Sequence, residues 1–589
     1  MRILLTAINS KYIHSNLAVY SLKAYHNMHT NGSSQVSLAE YTINQPVDYY
    51  VADIYRKKPD VVAFSCYIWN ITYVYEAVAQ LKKVMPDVKI WLGGPEVSFD
   101  AHKLLRENEN IDGVMCGEGE VTFSKLANSG FNTKAYAAGE INIDGIVYRN
   151  GNEICKTQPV ECIDMDELPF VYENLEAFKN KIIYYESSIG CHFGCSYCLS
   201  SVEKNVRFRS LPLVFKELKF FLDNNVSQVK FVDRTFNCNH DRSVKLLEYI
   251  ADHDNGITNF HFEIAADLLR DDEIELLKSL RPGLVQLEIG VQSTNIDTIH
   301  HINRVMDFNH LSKVVRSLNM GKNVHLHLDL IAGLPKEDLA SFHNSFNDVF
   351  ALEPEQLQVG FLKVLKGSPM AKMEENYELV YKPQPPYEIM KTKWLSYDDI
   401  LHLKEIEDMV EVYYNSGQYT LTIKILVNYS KDAYVLFEML AQYYSRNNLW
   451  NVKHSRITRY EILYSFINEY IKDNHICEIL KELLIFDLYL RENLKSRTAF
   501  AEPVDYYRNQ VHQLYTLSKA PKNGHIERFS KNFTDYIDEY ISTENIHISI
   551  DNTKDMCDYT WILFDYQSRD PLNYNCSVYR LNVSQENGD

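Results

Sequence analysis

No stretch of this 589-residue chain is apolar over the length needed to cross a bilayer, so no membrane partner is expected. The opening residues Met1–Ile8 are too short and too weakly basic for a signal peptide, and they read instead as a first strand. Basic charge is also in deficit. Lys and Arg number 60 against 79 Asp and Glu, a net charge of −19, which argues against the broad basic footprint of a nucleic-acid binder. Paired cysteine spacing is missing as well: the eleven cysteines are an odd number and mostly scattered. With no secretory leader, this implies a reducing cytoplasm. Internal repeats and low-complexity tracts are absent. What is present is a globular composition, 46% hydrophobic with a mean hydropathy of −0.29, in a chain long enough for about two to four domains.

One stretch departs from that scatter. Cys191-His192-Phe193-Gly194-Cys195-Ser196-Tyr197-Cys198 puts three thiols within eight residues, after an apolar run (Ile182, Ile183, Tyr184, Tyr185) that reads as a buried strand. Iron–sulfur clusters are held by cysteine thiolates at short fixed spacings, usually four of them. Three ligands leave one iron open, and an open metal position is where a reactant binds. A zinc knuckle and three unrelated cysteines are the competing readings; the knuckle needs a further Cys/His pair at fixed offset, and Cys238 and His240 are too isolated to supply it. Outside the triplet each cysteine, Cys557 included, reads as a small buried hydrophobe.

The stretch resembles the cluster loop of the radical S-adenosylmethionine (radical SAM) enzymes, in which a [4Fe-4S] cluster chelates the amino and carboxylate groups of SAM at its open iron. The CxxxCxxC spacing and the aromatic residue before the third cysteine both match. Arg is frequent in that family where Ile189 stands and Pro where His192 stands, but neither is a ligand position. The resemblance assigns Cys191, Cys195 and Cys198 as cluster ligands.

Residues 1–134 alternate short apolar strands with helical patterns: Ile3–Ala7, Val36–Leu38, Val61–Ser65, Val88–Leu92 and Gly113–Met115 as strands, and helices between them. Such alternation implies a doubly wound (flavodoxin/Rossmann-like) parallel sheet with ligands at the carboxyl ends of its strands. Those ends carry the Asn9–His14 segment, Ser65-Cys66, Gly93-Gly94-Pro95 and Gly117-Glu118-Gly119-Glu120. Glycines there permit close backbone approach. Upstream of a radical SAM loop, the Leu-Gly-Gly-Pro and Cys-Gly-Glu-Gly-Glu segments resemble the cobalamin (B12)-binding domain of B12-dependent radical SAM proteins. That resemblance implies cobalamin contacts at Ser65, Gly93, Gly94 and Gly117. The Asp-x-His-x-x-Gly motif that supplies a histidine ligand to cobalt is absent, since Tyr12 and Leu17 flank His14 in its place; His14 is expected to be a loop or pocket residue. Methylthiotransferases carry three further cluster cysteines in this region, whereas only Cys66 and Cys116 occur here.

Residues 135–175 read as a linker, with a β-hairpin signal around Asn150-Gly151 and then an acidic stretch with few core positions. Over residues 176–400 the strand–helix rhythm resumes for six units, implying a partial (β/α)6 TIM-type barrel whose active residues sit at the carboxyl ends of strands. Gly290-Val291-Gln292-Ser293 and Asp329-Leu330-Ile331-Ala332-Gly333-Leu334-Pro335 resemble the pattern of oxygen-independent coproporphyrinogen oxidases. The resemblance implies SAM contacts at Gln292, Asp329 and Glu263, with Glu288 an equally placed alternative to the last. Arg234 is open between pairing with a bound carboxylate and pairing with Asp233 or another acid. The Arg207–Ser210 segment reads as structural pairing.

Residues 401–589 show apolar residues at helical spacing, then strand-like His547–Ile550, Trp561–Tyr566 and Asn573–Tyr579: a mainly α-helical domain with a small β element. Its tyrosine pairs are expected in core or surface rather than as a nucleobase platform. A helical extension of this type is similar to one in an uncharacterised subgroup of the B12-dependent radical SAM proteins.

The resemblance implies three cofactors: the [4Fe-4S] cluster, SAM and cobalamin. It also implies a one-electron donor such as flavodoxin or ferredoxin, and an unknown small-molecule substrate methylated at an unactivated carbon. The alternatives are a B12-dependent rearrangement, cyclisation or oxidation without methyl transfer, and a non-catalytic cobalamin or cluster sensor.

Overall fold

Val61–Ser65 is buried along its whole length, a β-branched and apolar run with no polar face. A strand like this belongs in the middle of a parallel sheet covered on both sides. The computed structural model describes the chain except residues 203, 495–496, 519, 542–545, 551–555, 557 and 586–589, so Cys557 lies outside the described residues. The chain divides into two compact units. The first comprises residues 1–324, 331–338 and 360–397; the second comprises residues 325–330, 339–359 and 398–589.

In the first unit, β1 (Arg2–Asn9), β2 (Gln35–Thr42), β3 (Val61–Ser65), β4 (Lys89–Gly93) and β5 (Gly113–Met115) pair in parallel in the order β2-β1-β3-β4-β5. This is the doubly wound order expected of a flavodoxin-like sheet. The period-2 alternation of side chains divides each strand between two cores. Leu4, Ile8, Val62, Phe64, Ile90 and Leu92 pack with the helices Val47–Lys57 and Ile71–Val84. Ile3, Leu5, Val61, Ala63 and Trp91 pack on the other face with the helices Leu17–His29 and Glu120–Asn128. Gly113 is required by the second core, because a Cβ there would lie 2.6 Å from the Trp91 ring.

The hairpin announced by Asn150-Gly151 forms as β6 (Ile146–Asn150) and β7 (Glu153–Lys156). It does not stand apart as a connector. β6 pairs antiparallel with β5, so the sheet has seven strands among the described residues and Ile146, Val147 and Tyr148 are buried in it.

The strands β8 (Ile183–Tyr185), β9 (Gln228–Phe231), β10 (Asn259–Ile264) and β11 (Val285–Gln292) lie side by side in chain order, as a partial barrel requires, and β12 (His325–Ala332) and β13 (Gln356–Phe361) follow in the chain. In the first unit, β8 to β11 are parallel neighbours. Their outward side chains are apolar and aromatic: Tyr185 and Phe231 lie 5.1 Å apart, Phe231 and Phe262 4.7 Å. The inward side chains are polar. Tyr184 stands in register with Lys230, Lys230 with His261, and Glu263 with Glu288.

The basic segment after the cysteines is structural, as expected. Arg209 and Glu217 form a buried bidentate pair, with Arg209 Nη2 at 2.6 Å and Nε at 2.9–3.1 Å from the carboxylate, and the Tyr185 hydroxyl donates to Glu217 at 2.6 Å. Arg207 pairs with Glu118.

The second unit is helical over Leu339–Phe350, Thr420–Tyr429, Ala433–Arg446, Arg456–Tyr470 and Asn474–Arg491. Four strands follow among the described residues, in the order His525–Ser530, Tyr559–Arg569, Cys576–Gln585, Ile546–Ile550. The first of these has no counterpart in the sequence reading. Tyr413, Tyr443, Tyr444 and Tyr507 are buried and Tyr506 is exposed, which disposes them as core and surface. Asp487, fully buried, accepts from Thr422 N–H at 2.9 Å and Thr422 Oγ1 at 2.7 Å, and burial pushes its carboxyl up to about 7.

Removing one member of a buried ion pair strands its partner, at a cost of about 3–5 kcal/mol. Glu217→Ala is expected to destabilise the protein by that amount in urea unfolding. The apolar double variant Arg209→Met/Glu217→Leu is expected to recover most of the loss. Equal loss in both variants would refute the account.

Candidate active site

The cysteine loop leaves β8 through Glu186, Ser187 and Ser188, and Asp233 fixes its start. The buried Asp233 carboxyl accepts from Ser187 N–H at 2.7 Å, Ser187 Oγ at 2.6 Å and Ser188 Oγ at 2.7 Å. Burial pushes its pKa up while these donors oppose the rise. Gly190, at φ +97°, then turns the chain; a Cβ there would fall 2.3 Å from Asn205 O. Beyond it the loop is tied to residues 302–303, with Ser196 N–H donating to Ile302 O at 2.8 Å and Asn303 Nδ2 to Gly194 O at 2.8 Å.

Cys191, Cys195 and Cys198 are all free thiols. Cys191 Sγ lies 3.8 Å from Thr235 Oγ1, and Arg304 Nη1 lies 3.7 Å from Cys195 Sγ. Among the described residues, the set of three ligand atoms found within 4.8 Å of one another is His240, Asp272 and Glu273, on the helical side of the barrel. The donor set fits a cluster with one open corner. His192 is exposed, its ring tilted at 37° to that of Phe193 with centroids 4.1 Å apart.

Gln292 ends β11 with φ +72°, a conformation rarely adopted by a non-glycine residue. Its Oε1 is buried with no hydrogen-bond partner among the described residues. The side chain folds back over Gly290, where a Cβ would fall 2.2 Å from Gln292 Nε2. A strained residue with a buried, unsatisfied amide oxygen is what a polar ligand would complete. Glu288 is committed otherwise. Lys230 Nζ and His261 Nε2 each lie 3.0 Å from its Oε2, and with them its carboxyl is held down at about 2 despite burial. Glu263 stands beside it in register. Asp329, on β12 in the second unit, has His327 Nε2 at 3.0 Å.

At the carboxyl ends of the sheet strands the first unit holds a cavity of about 470 Å³. Its walls come from the β1 loop (Asn9, Ser10, His14), the β3 loop (Tyr67, Trp69), the segment Leu168–Tyr172, and the ends of β8 and β9 (Glu186, Arg234). The Tyr67 and Trp69 rings stack at 4.3 Å and 8°, a flat aromatic wall. A broad, flat, amide-fringed ring fits a chamber with such a wall and polar loops around it. His14 is a pocket residue: its Nδ1 and the Tyr184 hydroxyl are 2.6 Å apart, and burial, with Lys11 and Lys230, lowers its pKa. Arg234 does not pair with Asp233, whose oxygens are taken by the serines, and it forms no ion pair among the described residues.

Ser65, Gly93, Gly94 and Gly117 are not among the residues lining this cavity. Each has an internal reason for its identity. Ser65 Oγ accepts from Asn16 Nδ2 at 3.2 Å. A Cβ on Gly94 would lie 2.5 Å from Cys66 O, one on Gly117 2.7 Å from Val160 Cγ1, and one on Gly93 3.2 Å from Met115 Cε. Sequence reasoning missed Tyr67, Trp69, Glu186 and Leu168–Tyr172. Only Tyr67 and Trp69 offered a signal, two aromatics just past a strand end.

Three family models match the chain: B12 binding domain over residues 3–127, Radical SAM superfamily over residues 185–349, and a protein of unknown function (DUF4080) over residues 375–564. The cobalamin-dependent radical SAM methyltransferase TokK of Streptomyces tokunonensis is 23% identical over 59% of this chain and 54% of its own length. An anaerobic magnesium-protoporphyrin IX monomethyl ester cyclase of Synechocystis is 26% identical over 38% of this chain and 46% of its own. The chain thus spans about half the length of these curated relatives. The solved structure of the cobalamin-dependent S-adenosylmethionine radical enzyme OxsB, with aqua-cobalamin and S-adenosylmethionine bound, shares the fold at a TM-score of 0.55 and 15% identity, covering 82% of this chain and 78% of that one. One chain thus carries a B12-binding domain, a radical SAM domain and a DUF4080 region, and it is homologous to the cobalamin-dependent radical SAM methyltransferases.

Proposed function

We propose that the protein is a cobalamin-dependent radical SAM enzyme that methylates an unactivated carbon of a small molecule. The observation that carries this reading is the three-thiol loop at the end of β8, where that strand also supplies a wall of the cavity beneath the B12-binding sheet. When bound, the cluster supplies an electron for reductive cleavage of SAM and cobalamin supplies a transferable methyl group. Cys191, Cys195 and Cys198 would hold the cluster, and three thiols for four irons would leave a position for SAM. Gln292 and Glu263 would contact SAM. Tyr67 and Trp69 would supply the aromatic contacts to a corrin, and Leu168–Tyr172 would help to exclude water from it. The homologous cyclase supports a second reading, cobalamin-assisted radical chemistry without methyl transfer, on the same site. An electron donor of the flavodoxin or ferredoxin kind and a cytoplasmic setting belong to the proposal.

Glu186 sets the chamber's charge. Burial, then the neighbouring Asp233, Glu120 and Glu118, push its carboxyl up to about 8, with Arg234 opposing. It is therefore largely neutral near pH 7, a hydrogen-bond donor beside the Arg234 cation.

Cys→Ala at any of the three positions is expected to abolish the cluster absorbance and reductive SAM cleavage. In turnover, S-adenosylhomocysteine formed together with 5′-deoxyadenosine supports methylation, and 5′-deoxyadenosine alone supports the second reading. SAM cleavage surviving in the triple variant would overturn both. For Glu186, a folded-state pKa above the unfolded one gives stability that is full below about 4.5 and lost as pH rises through about 8. Glu186→Gln is thus expected to match the parent near pH 4.5 and exceed it at pH 9, on the order of 3 kcal/mol. Urea unfolding at both pH values checks this; a difference independent of pH would contradict it.

A further inference from the structure

Beyond β13 the chain returns to the B12-binding domain of the same unit. Val364 N–H donates to Tyr387 O at 3.0 Å and Ile389 N–H to Leu362 O at 2.8 Å, which lays the hairpin β14 (Val380–Tyr381) and β15 (Ile389–Lys391) along residues 362–364. Ile389 fills the space left by Gly333, where a Cβ would lie 2.7 Å from its Cγ2.

From that frame two side chains reach one buried acid. Glu96, only 3% exposed, receives the Tyr387 hydroxyl and has Lys366 Nζ at 3.2 Å. Lys366 also pairs with Asp100 at 3.2 Å and sits 5.5 Å over the Tyr387 ring. The next residue, Gly367 at φ +83°, lies against Phe99, since a Cβ there would meet its ring at 2.3 Å. Tyr387 itself has φ +55°, a conformation costing a non-glycine residue on the order of 1 kcal/mol, held because the surrounding contacts over-determine it.

Glu96 is joined to the cavity. It follows Gly93-Gly94-Pro95, its N–H approaches Cys66 O at 3.4 Å, Cys66 N–H donates to Gly93 O at 2.7 Å, and the missing side chain of Gly94 lets Cys66 O in. Cys66 leads directly into Tyr67 and Trp69, the aromatic wall. The B12-binding match ends at residue 127 and the DUF4080 match begins at residue 375, so Tyr387 belongs to the region of unknown function.

We propose that the opening hairpin of the DUF4080 region, together with Lys366 just ahead of it, is a latch on the corrinoid chamber: Tyr387 and Lys366, through Glu96 and the Gly94–Cys66 backbone contact, position the Tyr67–Trp69 wall against the corrin. Tyr387, Lys366 and Glu96 are positioning residues, and none of them lines the cavity. This rests on the corrinoid reading above. It gives the C-terminal region a task in cofactor retention, separate from any substrate role.

The test uses the full chain with its cluster reconstituted anaerobically and hydroxocobalamin as the probe, followed by its visible spectrum. Tyr387→Phe/Lys366→Met is expected to weaken hydroxocobalamin binding about tenfold, equivalent to about 1.4 kcal/mol, and to shift the bound cofactor's visible bands. Lys366→Arg, which keeps the ion pairs, is expected to bind like the parent. Dithionite-driven SAM cleavage without cobalamin is expected to stay within about twofold, because the cysteine loop is untouched. Affinity within about twofold of the parent in the double variant would overturn the latch, as would parallel losses of SAM cleavage and corrinoid affinity. Failure of the parent chain to bind hydroxocobalamin would instead overturn the corrinoid reading on which the latch depends.

Discussion

The Asp233 carboxyl is the fixed point of the site. It stands at the end of β9 and takes its hydrogen bonds from the first residues after Glu186, at the end of β8, so it ties two barrel strands at the height where the cysteine loop begins. Everything nearby follows from that tie. Ser187 and Ser188 cannot drift, so Gly190 turns where it must and Cys191 comes to Thr235. With Asp233 occupied, Arg234 faces the cavity, and so does Glu186, an acid kept neutral by burial and by its acidic neighbours. A buried acid of this kind is costly unless satisfied, which favours a geometry with little freedom.

Much of this architecture was legible in the chain. The all-apolar Val61–Ser65, the glycines at strand ends and the repeating strand–helix rhythm specify a doubly wound sheet and a partial barrel, because burial on both faces leaves its mark on composition. The cysteine loop was legible because its ligands are local in sequence. The chamber was not. Tyr67, Trp69, Glu186 and Phe170 are far apart in the chain and meet only once the sheet strands and barrel strands are placed, and no local pattern encodes that meeting. At Gly94 and Gly117 the close neighbours that exclude a side chain are the chain's own Cys66 O and a Val160 methyl, which no local pattern encodes. The hairpin at residues 146–156 was recognised as a hairpin but not as sheet, since its pairing partner, β5, lies thirty or so residues upstream.

The second unit shows a different economy. Its polar interior is built from groups that satisfy one another: Asp487 on Thr422, and Glu527, held down at about 2, between Arg497 at 2.7 Å and His525 at 3.1 Å. Arg528 lies between the rings of Tyr507 and Tyr559 at 4.2 and 4.1 Å. Tyrosine abundance here is a means of packing aromatic area while finishing hydrogen bonds, as with Tyr413 and Tyr444, whose hydroxyls are 2.8 Å apart.

The hairpin that ends the first sheet has one more effect. A parallel sheet stopping at β5 would present a three-residue apolar strand with open backbone groups, a template for a second chain. β6 covers it, and the rim that remains is β7, four residues long, with exposed Glu153 and Lys156 at its ends. Short, charged rims resist edge-to-edge pairing. The same turn that closes the fold therefore guards this side of the protein against self-association through its sheet.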